Sequence, residues 1–241
     1  MFSLSEKAQV PTKEPPSKQL EQQIQNSEKA LGIKTEYDRL VESSLFIDKK
    51  FLNYALIIGV TPNPERIFGA NAWADYLDAR VATKEHGNQS LTPDFILQIH
   101  KKLTQRSNPE VSGKIRSNGV IGASYDETGE PVTYTKEQIS AIENNPLLKF
   151  NRVPQEDNNN TTGFIVYPHE GPQTQELIEK DLQEIFDWFH DTRIKGGTDN
   201  FTLAATLQLK LISLHPFRDG NGTLSRLLMN WSLENSGESP S

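Results

Sequence analysis

The sequence predicts a mainly α protein, a helical bundle with one small β-hairpin that carries an insertion. Three observations predict it. Apolar residues recur at helical spacing in segment after segment, and residues that start or stop helices flank those segments. Two short runs rich in β-branched or aromatic residues, at 120–121 and 164–167, break the pattern and read as the arms of a hairpin.

Taken in order, residues 1–30 are polar, with Pro11, Pro15 and Pro16 among many Gln, Lys and Glu. They bury little, so a flexible lead-in that ends in a helix is expected. A helical region follows over 31–66, where Tyr37, Leu40, Val41, Ser44, Leu45, Asp48, Leu52, Ala55 and Leu56 share helical spacing and Gly59, Pro62 and Pro64 close the run. The main domain is expected over 67–241. It opens with Trp73, Tyr76, Leu77 and Arg80 on one face of a helix over 68–81. Thr92-Pro93 reads as an N-cap followed by proline at the first helical position, opening a helix over 95–103. The hairpin and its insertion occupy about 117–172, and inside them Thr135 and Gln138 have the spacing of a capping box. Leu177, Ile178, Leu182, Ile185, Phe186 and Phe189 form the next stripe, which Gly196-Gly197 ends. Two apolar helices, 203–214 and 224–233, complete the chain.

Composition narrows the function. At 241 residues the chain suits one domain with an appendage. It has no cysteine, which rules out disulfides, thiolate catalysis and Cys-based zinc sites and suits a reducing compartment. A formal net charge of -7 and the lack of a Lys/Arg run argue against nucleic acid as a partner. No apolar stretch approaches the ~18 residues of a membrane span, and the N-terminus lacks a basic-then-apolar signal pattern. A cytoplasmic protein is expected, with export as an effector left open.

The segment between the last two helices, HPFRDGNGTLSR at 215–226, concentrates the chemistry. A histidine, with an unperturbed pKa of about 6.5, can take a proton from an attacking hydroxyl near neutrality, so His215 is the candidate general base. Asp219 is the candidate Mg²⁺ ligand, since that ion favours carboxylate and phosphate oxygens. Gly220, Asn221 and Gly222, at the entrance to a helix, can aim main-chain N–H groups at a phosphate. Arg226, three residues after Thr223 on the same helix face, can hold a phosphate further along a polyphosphate. Taken singly, a His-Pro is ordinarily a helix end, Asp-Gly-Asn-Gly a turn and a helical arginine a solvated charge. The apolar helices on both sides separate this segment from a surface hairpin turn. Among the other histidines, His100 reads as a satisfied structural residue, His169 as part of a solvated turn, and His86 and His190 as loop or helix-end residues.

The segment resembles the signature of the Fic family, H-x-F-x-[D/E]-G-N-G-[R/K]-x-x-R. His215, Phe217, Asp219, Gly220, Asn221, Gly222 and Arg226 match it, while Thr223 stands where the family usually places arginine or lysine. The helix before Gly113-Lys-Ile-Arg116 and the exit helix at 226–230 are similar to the family's as well, and the likeness runs over about 67–237. It implies a Fic-like helical bundle with a flap, and a protein adenylyltransferase that moves AMP from ATP, with Mg²⁺, onto a Ser, Thr or Tyr hydroxyl of a target protein. In the family the flap aligns the target, a role that falls here to Ile165 and Val166 through an exposed strand edge. Alternatives are another nucleotide donor, removal of AMP, or a weakly active nucleotide- or target-binding module. Family members are often restrained by a helix carrying [S/T]-x-x-x-E-[G/N]. Ser44 and Asp48 have that spacing, with Asp48 and Lys49 in place of the acidic and small residues. Thr61 to Arg66 has it too, but Pro62 and Pro64 oppose a helix there.

Overall fold

A computed structural model of the chain describes residues 17–35, 38–39, 41–42, 69–122, 133–152 and 161–238. The helices are α1 (Lys18–Leu31), α2 (Ala70–His86), α3 (Pro93–Thr104), α4 (Lys136–Glu143), α5 (Thr174–Lys195), α6 (Asn200–Leu214) and α7 (Asn221–Glu234). The strands are β1 (Ile121–Gly122), β2 (Thr133–Tyr134), β3 (Lys149–Arg152) and β4 (Thr161–Val166). This is the mainly α architecture with a small antiparallel sheet that the sequence predicts.

Local chemistry sets most of the boundaries. Thr92 caps α3 by accepting the Phe95 N–H at 3.2 Å, with Pro93 at the first helical position. At the start of α4, Thr135 and Gln138 form both bonds of the capping box. Gly196 closes α5 in a backbone conformation open to glycine. The helix expected at the end of the polar segment is α1, which begins at Lys18, capped by Ser17, and is stopped by a left-handed Gly32. It buries Ile24 in the core. Glu28 ties α1 to α2 by accepting the Trp73 Nε1–H at 3.3 Å. Most of the helix expected over 37–58, including Ser44 and Asp48, lies outside the described residues.

The core is built from facing stripes. Trp73, Leu77, Ile96, Ile99, Ile178, Leu182, Phe186, Leu207, Leu214, Phe217, Leu228 and Trp231 are all buried, and full burial of a large apolar side chain contributes roughly 1.5–3 kcal/mol. Helix α2 is buried on nearly every side, so its polar residues are paired inside. Arg80 bonds Glu42 at 3.0 Å and both carboxylate oxygens of Glu234 at the end of α7. Asp75 accepts the main-chain N–H groups of Arg106 and Ser107 at 2.9 and 2.8 Å, which pins the turn after α3. Among the described residues, no helix is long and apolar enough to cross a membrane.

The sheet differs from a plain hairpin. The expected arms do pair, antiparallel, with Ile121 opposite Val166 and Gly122 opposite Ile165. The insertion then supplies β3 along the other edge of β4, where Phe150 faces Ile165 and Lys149 faces Val166. Ile165 and Val166 are therefore paired on both sides, and the open edge expected there is filled. The described part of the insertion packs onto the bundle. Phe150 and Ile139 are buried, and Asn145 donates to Ser213 of α6 at 2.8 Å. Close packing of β3 on β4 requires Gly163, where a Cβ would lie 2.4 Å from Phe150 Cζ and 2.5 Å from the Asn151 carbonyl oxygen. Gly163→Ala is expected to cost about 1–3 kcal/mol through the forced shift of β3, read as a lower urea midpoint. An unchanged midpoint would show that β3 does not press on Gly163.

Candidate functional site

The turn from α6 to α7 begins because α6 cannot continue. Pro216 disfavours helical geometry at the residue before it, and His215 adopts the left-handed conformation, φ 50° and ψ 59°, with its N–H still bonded to the Leu211 carbonyl at 3.1 Å. The imidazole leaves the helix axis and stacks on Tyr167, ring centroids 3.8 Å apart and planes 22° from parallel. Nδ1 is buried and makes no hydrogen bond of good geometry. Burial pushes the pKa of His215 down to about 4, with the nearby Ile212 carbonyl opposing, Arg116 lowering it further and the Asp219 charge raising it. The ring is neutral at physiological pH.

Within the turn, Phe217 is fully buried and Asn221 staples it, with Oδ1 accepting its N–H at 3.0 Å and Nδ2 donating to its carbonyl at 2.8 Å. His100 closes the turn from the α3 side. Its Nδ1 accepts the Gly113 N–H at 3.1 Å, so Nε2 carries the proton and donates to the Asp219 carbonyl at 3.0 Å. The His100 ring also stacks on Phe217 at 3.7 Å, and burial holds its pKa near 4. The structural reading of His100 is correct, and the residue is also the main-chain anchor of the acidic position. Gly220 packs under this ring in the left-handed region, where a Cβ would sit 3.3 Å from His100 Nε2.

Asp219 is exposed and points its carboxylate along the turn, accepting the Gly220 N–H at 2.7 Å and Asn108 Nδ2 at 3.0 Å. Asn108 follows the turn that Asp75 pins, which gave no signal in the sequence. Two groups of the expected phosphate cradle already have partners within the turn. The Gly220 N–H is taken by Asp219, and the Asn221 side chain by Phe217. The α7 ladder opens with the Leu224 N–H on the Gly220 carbonyl, so the main-chain N–H groups of Asn221, Gly222 and Thr223 have no carbonyl behind them in the helix. Arg226 folds back over that first turn, its Nη1 3.4 Å from where a Gly222 Cβ would be. His215, Asp219, the α7 N-terminus and Arg226 thus share one turn.

Arg116 is a further buried residue of the site. Its guanidinium donates to the carbonyls of Asn118, Pro168, His169, Leu214 and His215, and its own N–H to the Pro216 carbonyl at 3.0 Å. Sequence matching marks Arg116, but its partners lie far along the chain. His169 bonds Asp181 at 2.7 Å and is less solvated than expected, and His190 sits inside α5. His86 is the last residue of α2, as expected. A groove of about 830 Å³ between α4, α5 and α6 reaches Ser213 but no residue of 215–226, so it is not this site. Among the described residues, no cluster of three or more His, Cys, Asp or Glu side chains is placed to hold a metal.

Comparison with known proteins follows the same lines. A sequence model described as the Fic/DOC family matches residues 90–233. The chain is 24% identical over 174 residues to "Protein adenylyltransferase fic-1" of Caenorhabditis elegans, covering 72% of this chain and 25% of that protein. It is 30% identical over 69 residues to "Uridine 5'-monophosphate transferase" of Xanthomonas campestris pv. campestris (strain 8004), covering 27% of this chain and 13% of that protein. A Fic domain containing signaling protein from Bacteroides thetaiotaomicron VPI-5482 has a crystal structure that superposes with a TM-score of 0.48 at 18% identity, over 93% of this chain and 69% of that one. The chain spans about a quarter of the length of the nematode relative.

Removing the His100 imidazole takes away the partner of the part-buried Asp219 carbonyl and Gly113 N–H and opens a hole beneath Phe217. His100→Ala is expected to lose about 2–4 kcal/mol of stability in urea unfolding. A loss below about 1 kcal/mol would mean that the turn holds itself without this anchor.

Proposed function

This chain belongs to the Fic/DOC family, and on that premise we propose that it is a protein adenylyltransferase, moving AMP from ATP to a Ser, Thr or Tyr hydroxyl of a target protein. The observation that carries the proposal is the meeting, on one turn, of a neutral imidazole, a carboxylate and the open N-terminus of α7. With Nδ1 buried, Nε2 of His215 takes the proton as the target oxygen attacks the α-phosphorus. The bond to the β-phosphate breaks and pyrophosphate leaves. The N–H groups of Asn221, Gly222 and Thr223 hold phosphate oxygens, and Arg226 holds the outer phosphate.

Asp219 fits Mg²⁺ as a single hard oxygen ligand. It is exposed beside the cradle, and an ion held by one or two carboxylates plus substrate phosphates needs no cage of side chains. Asp219 would hold the ion, which supplies charge neutralisation on the polyphosphate. A target segment entering as a strand would meet an outer edge of the sheet, such as that of β1, since β4 is paired on both sides. Ile121 on that edge is 62% exposed.

Thr223 supports a second reading, transfer from another nucleotide, and the similarity to a uridine 5'-monophosphate transferase points the same way. Labelled ATP, UTP, GTP and CDP-linked donors, each incubated with candidate lysate, separate the readings. Label from ATP on protein, lost in His215→Ala, is expected. Label from another donor alone moves the proposal to that donor, and binding without transfer overturns it. Thr223→Arg restores a charge-assisted contact worth ~1.5–3 kcal/mol, so ATP-dependent transfer should rise roughly ten- to a hundredfold. No gain would show that position 223 does not limit the donor.

The buried imidazole also sets a pH dependence. A base must be unprotonated to act, so activity falls as pH drops through its pKa. With that value near 4, the acidic limb of kcat/KM is expected well below the position of an exposed histidine, about pH 6.5. A limb at 6.5 would place the base elsewhere or in solvent.

A further inference from the structure

The exit of β4 is fastened to the end of α6 by two contacts that converge on His215. On one side the Tyr167 ring lies against the imidazole at 3.8 Å. Tyr167 is itself wedged, with its N–H on the Val120 carbonyl at 3.3 Å and its hydroxyl 2.9 Å from where a Gly122 Cβ would be. On the other side Arg116 donates to the main chain of His215 at 2.7 Å and, through the same guanidinium, to the carbonyls of Pro168 and His169 just past β4. The planar fork of arginine has five N–H donors at fixed angles, and three separate segments of chain supply the acceptors.

We infer that Tyr167 and Arg116 are positioning residues for His215, one through its ring and one through its main chain, and that they hold the sheet exit and the base as one unit. This rests on the reading of His215 as the base. A histidine at the end of a helix, in the left-handed region and next to proline, has little in its own sequence to fix the ring. Here β1 holds Tyr167 and Tyr167 holds the imidazole plane. Arg116 prevents the main chain at 214–215 from drifting away from 168–169. Neither residue contacts the N–H groups at the start of α7, so nucleotide binding and base placement are separable.

The test uses the full chain with ¹³C-labelled histidine. The five histidines are few enough to resolve, and His215→Ala assigns the resonance that disappears. In Tyr167→Ala the His215 ring signal is expected to move as the stacked ring current is lost, while Tyr167→Phe keeps it near its wild-type place. Transfer kcat should fall on the order of a hundredfold in Tyr167→Ala, with the ATP dissociation constant within about threefold of wild type and recovery in Tyr167→Phe. Arg116→Lys keeps a charge but loses the fork, and it should lower kcat with ATP affinity likewise retained. An unmoved His215 signal in Tyr167→Ala, or kcat and ATP affinity falling together in either variant, overturns the inference. If the wild-type chain transfers nothing from any donor, the functional reading fails while the resonance still tests the placement.

Discussion

The reversal between α6 and α7 has to satisfy its main chain without a helix or sheet ladder, and the rest of the site follows from how it does so. Six residues, 215–220, turn the chain through a corner in which Pro216 and Phe217 are buried. Buried carbonyls and N–H groups there need partners from elsewhere, because an unmatched one costs about 1–3 kcal/mol. Arg116 takes the Leu214 and His215 carbonyls and gives its own N–H to Pro216. Asn221 takes both main-chain groups of Phe217, and His100 takes the Asp219 carbonyl. Once these bonds are made, little freedom remains. The His215 ring must leave α6, the Asp219 carboxylate must face outward, and α7 must begin with N–H groups that no carbonyl covers.

What the sequence made legible is what short-range rules govern. Thr92-Pro93, the Thr135–Gln138 box and Gly196 each announce a boundary through chemistry within four residues, and each boundary stands. The stripe from Ile178 to Phe189 is buried as its period requires. The proposed base, acid and arginine fall on one turn because they lie within twelve residues of sequence. What was not legible depends on distance along the chain. The carbonyls around Arg116 come from positions 52 and 98 residues away as well as nearby. Asn108 reaches Asp219 across 111 residues, and the stack of Tyr167 on His215 exists only once β4 has docked. Strand β3, with one buried residue in four, has too little alternation to announce itself, and pairing with β4 defines it. Which N–H groups stay open at the start of α7 is hidden for the same reason: spacing marks three small or polar residues, but only the bonds show which N–H groups are already used.

Electrostatics at the turn are sparse and consequently specific. The imidazole is kept neutral by burial, with Arg116 adding to the effect. Arg226 is the cation at the start of α7, and Thr223 adds a hydroxyl where a second guanidinium or ammonium would add charge. With the helix N-terminus equivalent to roughly half a charge, oriented main-chain dipoles act there beside the side-chain cations, at hydrogen-bond range where a full charge acts over several ångströms.

The insertion changes what the sheet does for that site. A two-stranded flap with a bare edge would be ordered in part by its target, and the ordering would be charged against binding. Here β3 already occupies that edge, Phe150 anchors it, and Asn145 stitches the insertion to Ser213, two residues before His215. β4 is therefore held from both sides before any target arrives, and Tyr167, the next residue, inherits a fixed place against the imidazole. Pre-ordering of this kind exchanges adaptability of the sheet for constancy in the placement of the His215 ring. It also removes both edges of β4 from further strand pairing. On β1 Ile121 presents an apolar side chain to solvent, and a strand only two residues long offers few main-chain bonds along its edge.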